Sequence, residues 1–418
     1  MVPQRNALSD VLPANRSDRC IVSAILYRPV STLSRRRMLL STCLWTLDAA
    51  VAVRATGQAS GVRSRSTADE ITENERAEMR AVAEGLRAKY GIPGLSIAIA
   101  RHGRLVYVEA FGVSDRDAAA PGLTPTHTFR VASVSKPITS VTVMDLVESG
   151  RLSLDDRVFG HGGILGTQYG SQPYGRWVEQ IALKHLLTHT GGGWQNDAND
   201  PMFRNPQMNH AELIAWTLNN QPLVHEPGTA YAYSNFGYCV LGRVIEHVTK
   251  RPYAEHVRER ILSRCGIADM SIAGNTLADR APHEVRYYGQ GNENPYTMNV
   301  RRMDSHGGWL ATPSELVEFA IHIDGFKTTP NILDARTIQT MVTPTTANQG
   351  YAKGWAVNTA HNWWHAGSLP GTATLLVRTQ SGFCWAALAN TRKPGSDLGA
   401  GLDQGMWTIV AKVSAWRT

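Results

Sequence analysis

Long apolar runs are the first thing this 418-residue chain lacks. The stretch from Met38 to Leu47 covers ten residues, whereas a helical membrane span needs about 20, so no permanent membrane anchor is expected. Cysteine is scarce as well. There are five, none in the paired short spacings of zinc sites, and only Cys239, Cys265 and Cys384 lie beyond residue 65. An odd number cannot close a disulfide framework, and buried free thiols are expected instead. The body of the chain also lacks net charge. The formal +7 resides in residues 1–65, where ten Arg face three Asp, while the remainder carries 32 basic and 32 acidic residues. Without a basic field, nucleic acid is not an expected partner. The glycine-rich stretch 160–177 has neither phosphate-loop spacing and reads as a surface loop.

The basic N-terminus has its own explanation. Ser34-Arg35-Arg36-Arg37-Met38-Leu39-Leu40 resembles a twin-arginine export motif, an apolar run follows, and Ala50-Val51-Ala52 offers a small-x-small cleavage site. The expectation is an export signal and leader over 1–65, a periplasmic or secreted location, and one folded domain over 66–418.

Within that domain, 70–90 has helical composition and is closed by Gly91-Ile92-Pro93. Two β-type runs, 95–100 and 105–111, flank a hairpin turn at Arg101-His102-Gly103-Arg104. The middle reads as mostly helical, with helices over 181–190, 211–219 and 238–248. Thr312-Pro313-Ser314-Glu315 is a capping box opening another helix. Three strands, 363–365, 372–379 and 383–390, precede a final helix over 397–416. Strands at both ends join one sheet only if the chain returns. This predicts an α/β (α+β) architecture: a mixed lobe of about 70–132 and 305–418, an inserted helical lobe of about 133–304, and a cleft between them.

One stretch, Phe129-Arg130-Val131-Ala132-Ser133-Val134-Ser135-Lys136-Pro137, turns from extended chain into a helix with apolar residues on most sides. Ser133 and Lys136, at i and i+3, share a helix face. Pro137 falls among the N–H groups that lack an intrahelical partner and does little harm. Alone the pair is a weak signal. With 26 Ser and eight Lys, chance alone supplies one in roughly half of such chains. Its company sharpens it: Tyr233-Ser234-Asn235 follows a Pro-Gly turn, and His365-Ala366-Gly367 stands on a predicted strand before Ser368. His185 and His189 at i, i+4 have chelating geometry, but no Glu follows His185 and no third ligand is near, so packing is expected and no metal.

In order and spacing these elements are those of the three-motif serine hydrolases. With Gly91-Ile92-Pro93-Gly94, Leu186-Leu187-Thr188-His189-Thr190 and Gly307-Gly308-Trp309-Leu310-Ala311-Thr312, the chain resembles the class C β-lactamase-related family over about residues 75–415. That family includes D-alanyl-D-alanine carboxypeptidases, D-aminopeptidases and β-lactamase-fold esterases. The resemblance implies a β-lactamase/transpeptidase-like fold, with an antiparallel sheet flanked by helices. It also implies a small-molecule or peptide substrate and chemistry without cofactor or metal.

Each motif then has a task. Ser133 would attack a carbonyl and needs a base to take its proton. Lys136 serves only as the neutral amine, which an unperturbed lysine is about once in 2,500 at pH 7, a deficit of roughly 4.6 kcal/mol that burial can reduce. Tyr233 is the second base candidate, as a phenol beside an ammonium. Asn235 would hold Lys136 and a substrate amide. The N–H groups of Ser133 and Ser368 form the expected oxyanion hole, with Gly367 allowing close approach to substrate. Many β-lactamases place a lysine where His365 stands. A largely neutral imidazole weakens a compulsory anion site and suits peptidase and esterase substrates better. Trp309, Trp363 and Trp364 fit either a cleft wall or core packing.

Overall fold

The structure is a computed structural model and describes residues 71–117 and 122–416. The expected export signal lies outside these. Residues 71–418 form one compact unit. The chain enters through α1 (Glu73–Tyr90), which starts three residues later than expected. Thr72 fixes that start: its hydroxyl accepts from Glu75 N–H while the Glu75 carboxylate accepts from Thr72 N–H. The hairpin β1 (Gly94–Arg101) and β2 (Arg104–Gly112) follows. The middle supplies α2 (Ser135–Glu148), α3 (Asn235–Thr249) and α4 (Pro313–Ile321), the last opened by the expected Thr312–Glu315 capping box. Strands β3 (Ala356–Val357), β4 (Trp363–Leu369), β5 (Thr372–Arg378) and β6 (Phe383–Ala389) precede α5 (Leu398–Val410).

The chain returns as expected. The sheet is antiparallel in the order β2-β1-β6-β5-β4-β3, with Leu95 opposite Ala389 where the N-terminal hairpin meets the C-terminal meander. The inner strands β1, β5 and β6 are buried almost throughout because both their faces are covered, whereas β2 and β4 expose residues on one side. Leu95, Ile97, Ile99, Leu375 and Trp385 pack with Met79, Leu402 and Met406 of α1 and α5. Ala98, Leu376, Ala386 and Leu388 join Leu316, Phe319 and Ala320 of α4 in the larger core. Burying one Leu-sized side chain in such a layer contributes roughly 1.5–3 kcal/mol.

Two helices end earlier than their composition suggests. α5 stops at Val410, and Trp416 Nε1–H turns back to donate to the Val410 carbonyl at 2.7 Å. The helix expected over 181–190 is only Leu183–Leu187, because His189 adopts a left-handed conformation at φ 57°. Cys239, Cys265 and Cys384 are free, buried thiols. Among the described residues, no helix is long and apolar enough to cross a membrane.

Candidate active site

A three-stranded antiparallel ribbon aims the Ser133 turn. Phe129–Arg130 pairs with Trp309–Ala311, which pairs in turn with Ser271–Ile272, and Val131 N–H donates to the Trp309 carbonyl at 2.9 Å. The Gly307–Thr312 motif thus fixes the approach to the nucleophile turn. Ala132 then takes a left-handed φ of 49°, a conformation a residue with a Cβ holds only where its surroundings enforce it. Ser133 sits on a tighter 3₁₀ turn, Ala132–Val134, and not on the α-helix, which starts at Ser135. The i, i+3 meeting survives this change, with Lys136 Nζ 3.0 Å from Ser133 Oγ.

Lys136 is fully buried. Burial pulls its pKa down to about 7, with the Asp200 charge pulling the other way. Its nitrogen has three partners: Ser133 Oγ, Asn235 Oδ1 at 2.8 Å and the His306 carbonyl at 3.0 Å. Two of these oxygens only accept. A neutral amine spends its two N–H groups on them, and its lone pair is left facing the Ser133 hydroxyl.

Ser234 caps α3 by accepting from Gly237 N–H, so Asn235 opens the helix with its amide beside Lys136. The amide's orientation is set from behind, where Nδ2–H donates to Asp200 Oδ2 at 2.8 Å. Asp200 is 1 % exposed, and burial raises its pKa to about 6 against the bonds from Asn235 and Met202 N–H. Sequence reasoning missed this residue. Its one local signal, Asp before Pro201, marks a helix cap and says nothing about Asn235, 35 positions away.

Tyr233 faces the Ser133 side chain, and its ring centroid lies 4.8 Å from Lys136 Nζ. Burial is the largest influence on the phenol and drives its pKa far above the ordinary value, more strongly than the nearby Ser133 hydroxyl lowers it. Burial thus favours the O–H form at neutral pH, against the early loss of its proton that an adjacent ammonium suggests.

Strand β4 closes the cluster. A Cβ on Gly367 would lie 2.4 Å from the Val131 carbonyl oxygen and 2.2 Å from Thr374 Oγ1. This glycine therefore admits the backbone of the nucleophile turn, which the sequence alone did not suggest. Ser368 exposes its side chain, which accepts from Arg392 Nη1 at 3.2 Å, and Arg392 is itself held by Glu293. His365 points the other way, into the interior. Its Nδ1 meets the Ala366 carbonyl at 2.7 Å and its Nε2 the Tyr351 hydroxyl at 3.1 Å. Burial first, then the Lys136 charge, lower its pKa to about 3, so the ring is neutral. The tryptophans belong to packing: Trp309 lies against Tyr253, Trp363 under the Arg378 guanidinium, and Trp364 against the α1–α5 core. His185 and His189 diverge, the first accepting from Ala182 N–H and the second turned toward Ser234 and Tyr351.

The family model for β-lactamase matches residues 79–404. The chain belongs to the β-lactamase family. Protein flp of Staphylococcus aureus strain MRSA252 is 25% identical over 329 residues, which are 77% of this chain and 64% of that protein's length. Penicillin-binding protein 4* of Bacillus subtilis strain 168 is 24% identical over 349 residues, 74% of this chain and 70% of the relative. Among solved structures, the D-amino acid amidase of Ochrobactrum anthropi SV3 complexed with D-phenylalanine superposes with a TM-score of 0.68 at 20% identity, covering 82% of this chain and all of that one. The octameric penicillin-binding protein homologue of Pyrococcus abyssi gives 0.63 at 23% identity, over 79% and 77% of the two chains. These likenesses establish the β-lactamase/transpeptidase fold for this family member.

Proposed function

We propose that this β-lactamase family member is a serine hydrolase that works through a covalent acyl-enzyme on Ser133, and that its substrates are D-amino-acid peptides and amides or small carboxylic esters. The observation that carries the reading is the set of partners around Lys136. Two fixed acceptors take its N–H groups, and a pKa near 7 leaves about half the molecules with a free lone pair facing Ser133 Oγ at pH 7.

In the first step Ser133 Oγ bonds to the substrate carbonyl carbon, and the hydroxyl proton passes to Lys136 Nζ. The oxyanion that forms is held by the N–H groups of Ser133 and Ser368. As the C–N or C–O bond breaks, the leaving atom takes a proton from the Tyr233 hydroxyl, which is replenished from the Lys136 ammonium. Tyr233, held as the phenol, is suited to that donation, and Lys136 is the better base. Water then attacks the ester carbonyl, gives its proton back along the same route, and releases Ser133.

On substrate class, the neutral His365 leaves β4 without a fixed cation at that position, which favours neutral carbonyl compounds over obligate anions. The D-amino acid amidase likeness favours the same class. The Arg35–Arg37 motif adds a location outside the cytoplasm, where cell-wall peptides are met. The test is steady-state turnover of p-nitrophenyl acetate and butyrate, a D-amino-acid amide, a D-Ala-D-Ala peptide and a chromogenic cephalosporin. Turnover of the two esters and the D-amino-acid amide above the cephalosporin is expected. Preference for the cephalosporin indicates a class C-like β-lactamase, and a single acylation burst without turnover indicates a penicillin-binding sensor.

A further inference from the structure

Beneath Tyr233 lie three buried groups that the steps above leave unused. His189, Tyr351 and His365 are 1 %, 5 % and 5 % exposed. His189 is 162 positions from Tyr351 in the sequence, His365 14 positions beyond it, and the three meet in a line. The Tyr351 hydroxyl is 3.1 Å from His189 Nε2 and 3.1 Å from His365 Nε2.

The protons on this line can be assigned from the partners alone. His365 Nδ1 faces the Ala366 carbonyl, which only accepts, so Nδ1 carries the hydrogen and Nε2 is bare. The Tyr351 O–H therefore donates to His365 Nε2. His189 Nδ1 accepts from Ser234 N–H at 3.1 Å, so its hydrogen sits on Nε2 and is given to the Tyr351 oxygen. The Tyr238 hydroxyl, which donates to the Leu187 carbonyl at 2.8 Å, also neighbours Tyr351; along the line each donor still has an acceptor, and no charge is required. Burial and the Lys136 ammonium both act to keep the two imidazoles neutral.

The far end of the line reaches Tyr233. The His189 carbonyl accepts from Ala232 N–H at 2.8 Å, its ring accepts from Ser234 N–H, and the same ring lies over Tyr233 with centroids 4.1 Å apart. The residues on both sides of Tyr233 are thus held by one histidine, itself in a left-handed conformation. We propose that His189, Tyr351 and His365 form a neutral hydrogen-bonded bridge from strand β4 to the Tyr233 segment, and that its task is to position the Tyr233 hydroxyl against Ser133. His365 is then a positioning residue whose ring nitrogens are both committed to the protein, and not a ligand for substrate. The inference rests on the acyl-enzyme reading, which gives Tyr233 its role.

Two measurements test it. Nitrogen-15 NMR of the imidazoles in the wild type reports the bridge without any substrate. The expected result is hydrogen on Nε2 of His189 and on Nδ1 of His365, and the opposite tautomer at either ring overturns the bridge. The second is kinetic, with intact-mass detection of the Ser133 adduct. Tyr351→Phe keeps the ring and removes the shared hydroxyl. Its kcat is expected to fall about 10- to 100-fold with KM held within about twofold, since misplacing a reacting group by 1 Å costs on that order. His365→Gln, which keeps an acceptor near the Nε2 position, is expected to retain more activity than His365→Leu. A Tyr351→Phe enzyme that folds and matches the wild-type kcat refutes the positioning role. If Tyr351→Phe does not fold, equal kcat values for His365→Gln and His365→Leu refute it. Absence of any Ser133 adduct in the wild type would instead overturn the acyl-enzyme reading, and the tautomers would still decide whether the bridge exists.

Discussion

Acylation of Ser133 should follow the protonation of Lys136, and the structure sets where. With its pKa lowered to about 7 by burial, the neutral fraction rises from about one in eleven at pH 6 to about ten in eleven at pH 8. The second-order acylation rate should therefore climb about tenfold over that interval and flatten above it, because kcat/KM follows the free enzyme's ionisations. An unperturbed lysine would give about a hundredfold climb over the same range and no plateau before about pH 10. The assay is stopped-flow acylation by a neutral p-nitrophenyl ester, with the adduct counted by intact mass. Asp200→Asn provides a second reading. Its carboxylate is the charge that opposes the fall in the Lys136 pKa, so the variant's midpoint should move to lower pH. The plateau should fall too, because Asn offers one carbonyl acceptor for the two donors that Asp200 serves, Asn235 Nδ2 and Met202 N–H, which loosens the hold on Asn235 Oδ1 at Lys136. A wild-type rate rising tenfold per pH unit from 6 to 9, or an unmoved midpoint in Asp200→Asn, would refute the reasoning.

The same lysine predicts a stability signature. A folded pKa lowered to about 7 means the unfolded chain binds more protons between about pH 7 and 10, so stability from this group rises with pH there, by up to about 1.4 kcal/mol per unit. Urea unfolding of wild type and Lys136→Met at pH 7, 8 and 9 should show the difference growing in favour of the wild type, and a constant difference contradicts it. Gly367→Ala places a methyl 2.4 Å from the Val131 carbonyl oxygen and 2.2 Å from Thr374 Oγ1. A stability loss of about 1–3 kcal/mol by urea unfolding is expected, together with a kcat loss of at least about tenfold as the nucleophile turn moves. Asn235→Ala removes one of the two carbonyl acceptors of Lys136 and leaves Asp200 buried without its 2.8 Å partner. A kcat lowered by at least about tenfold is the expected result in the ester assay.

Local patterns made much of this legible. The Thr312–Glu315 cap, the Arg101–Arg104 hairpin and the apolar runs of β5 and β6 are short-range signals, and each appears where its chemistry predicts, whereas β4, expected over 363–365, runs on to Leu369. Ser133 and Lys136 meet because helical spacing already brings them together. Asp200 and Tyr351 were not legible, since their importance lies in partners supplied by remote segments. For the same reason Gly367 reads as a gap for substrate until Val131 is seen against it. Tyr233 shows a competition that sequence cannot weigh: a nearby ammonium would favour the phenolate, while burial, the largest influence on the group, opposes it. His189 broke the helical pattern because its carbonyl and ring are both turned toward the Tyr233 segment.

The most direct test of the account is intact-mass and peptide mapping of the protein quenched during ester turnover, in wild type and Ser133→Ala. The account predicts one acyl group on Ser133 of the wild type, appearing and decaying at rates that match turnover, and neither adduct nor turnover in the variant. An acyl group on another residue, or turnover that persists in Ser133→Ala, would contradict it.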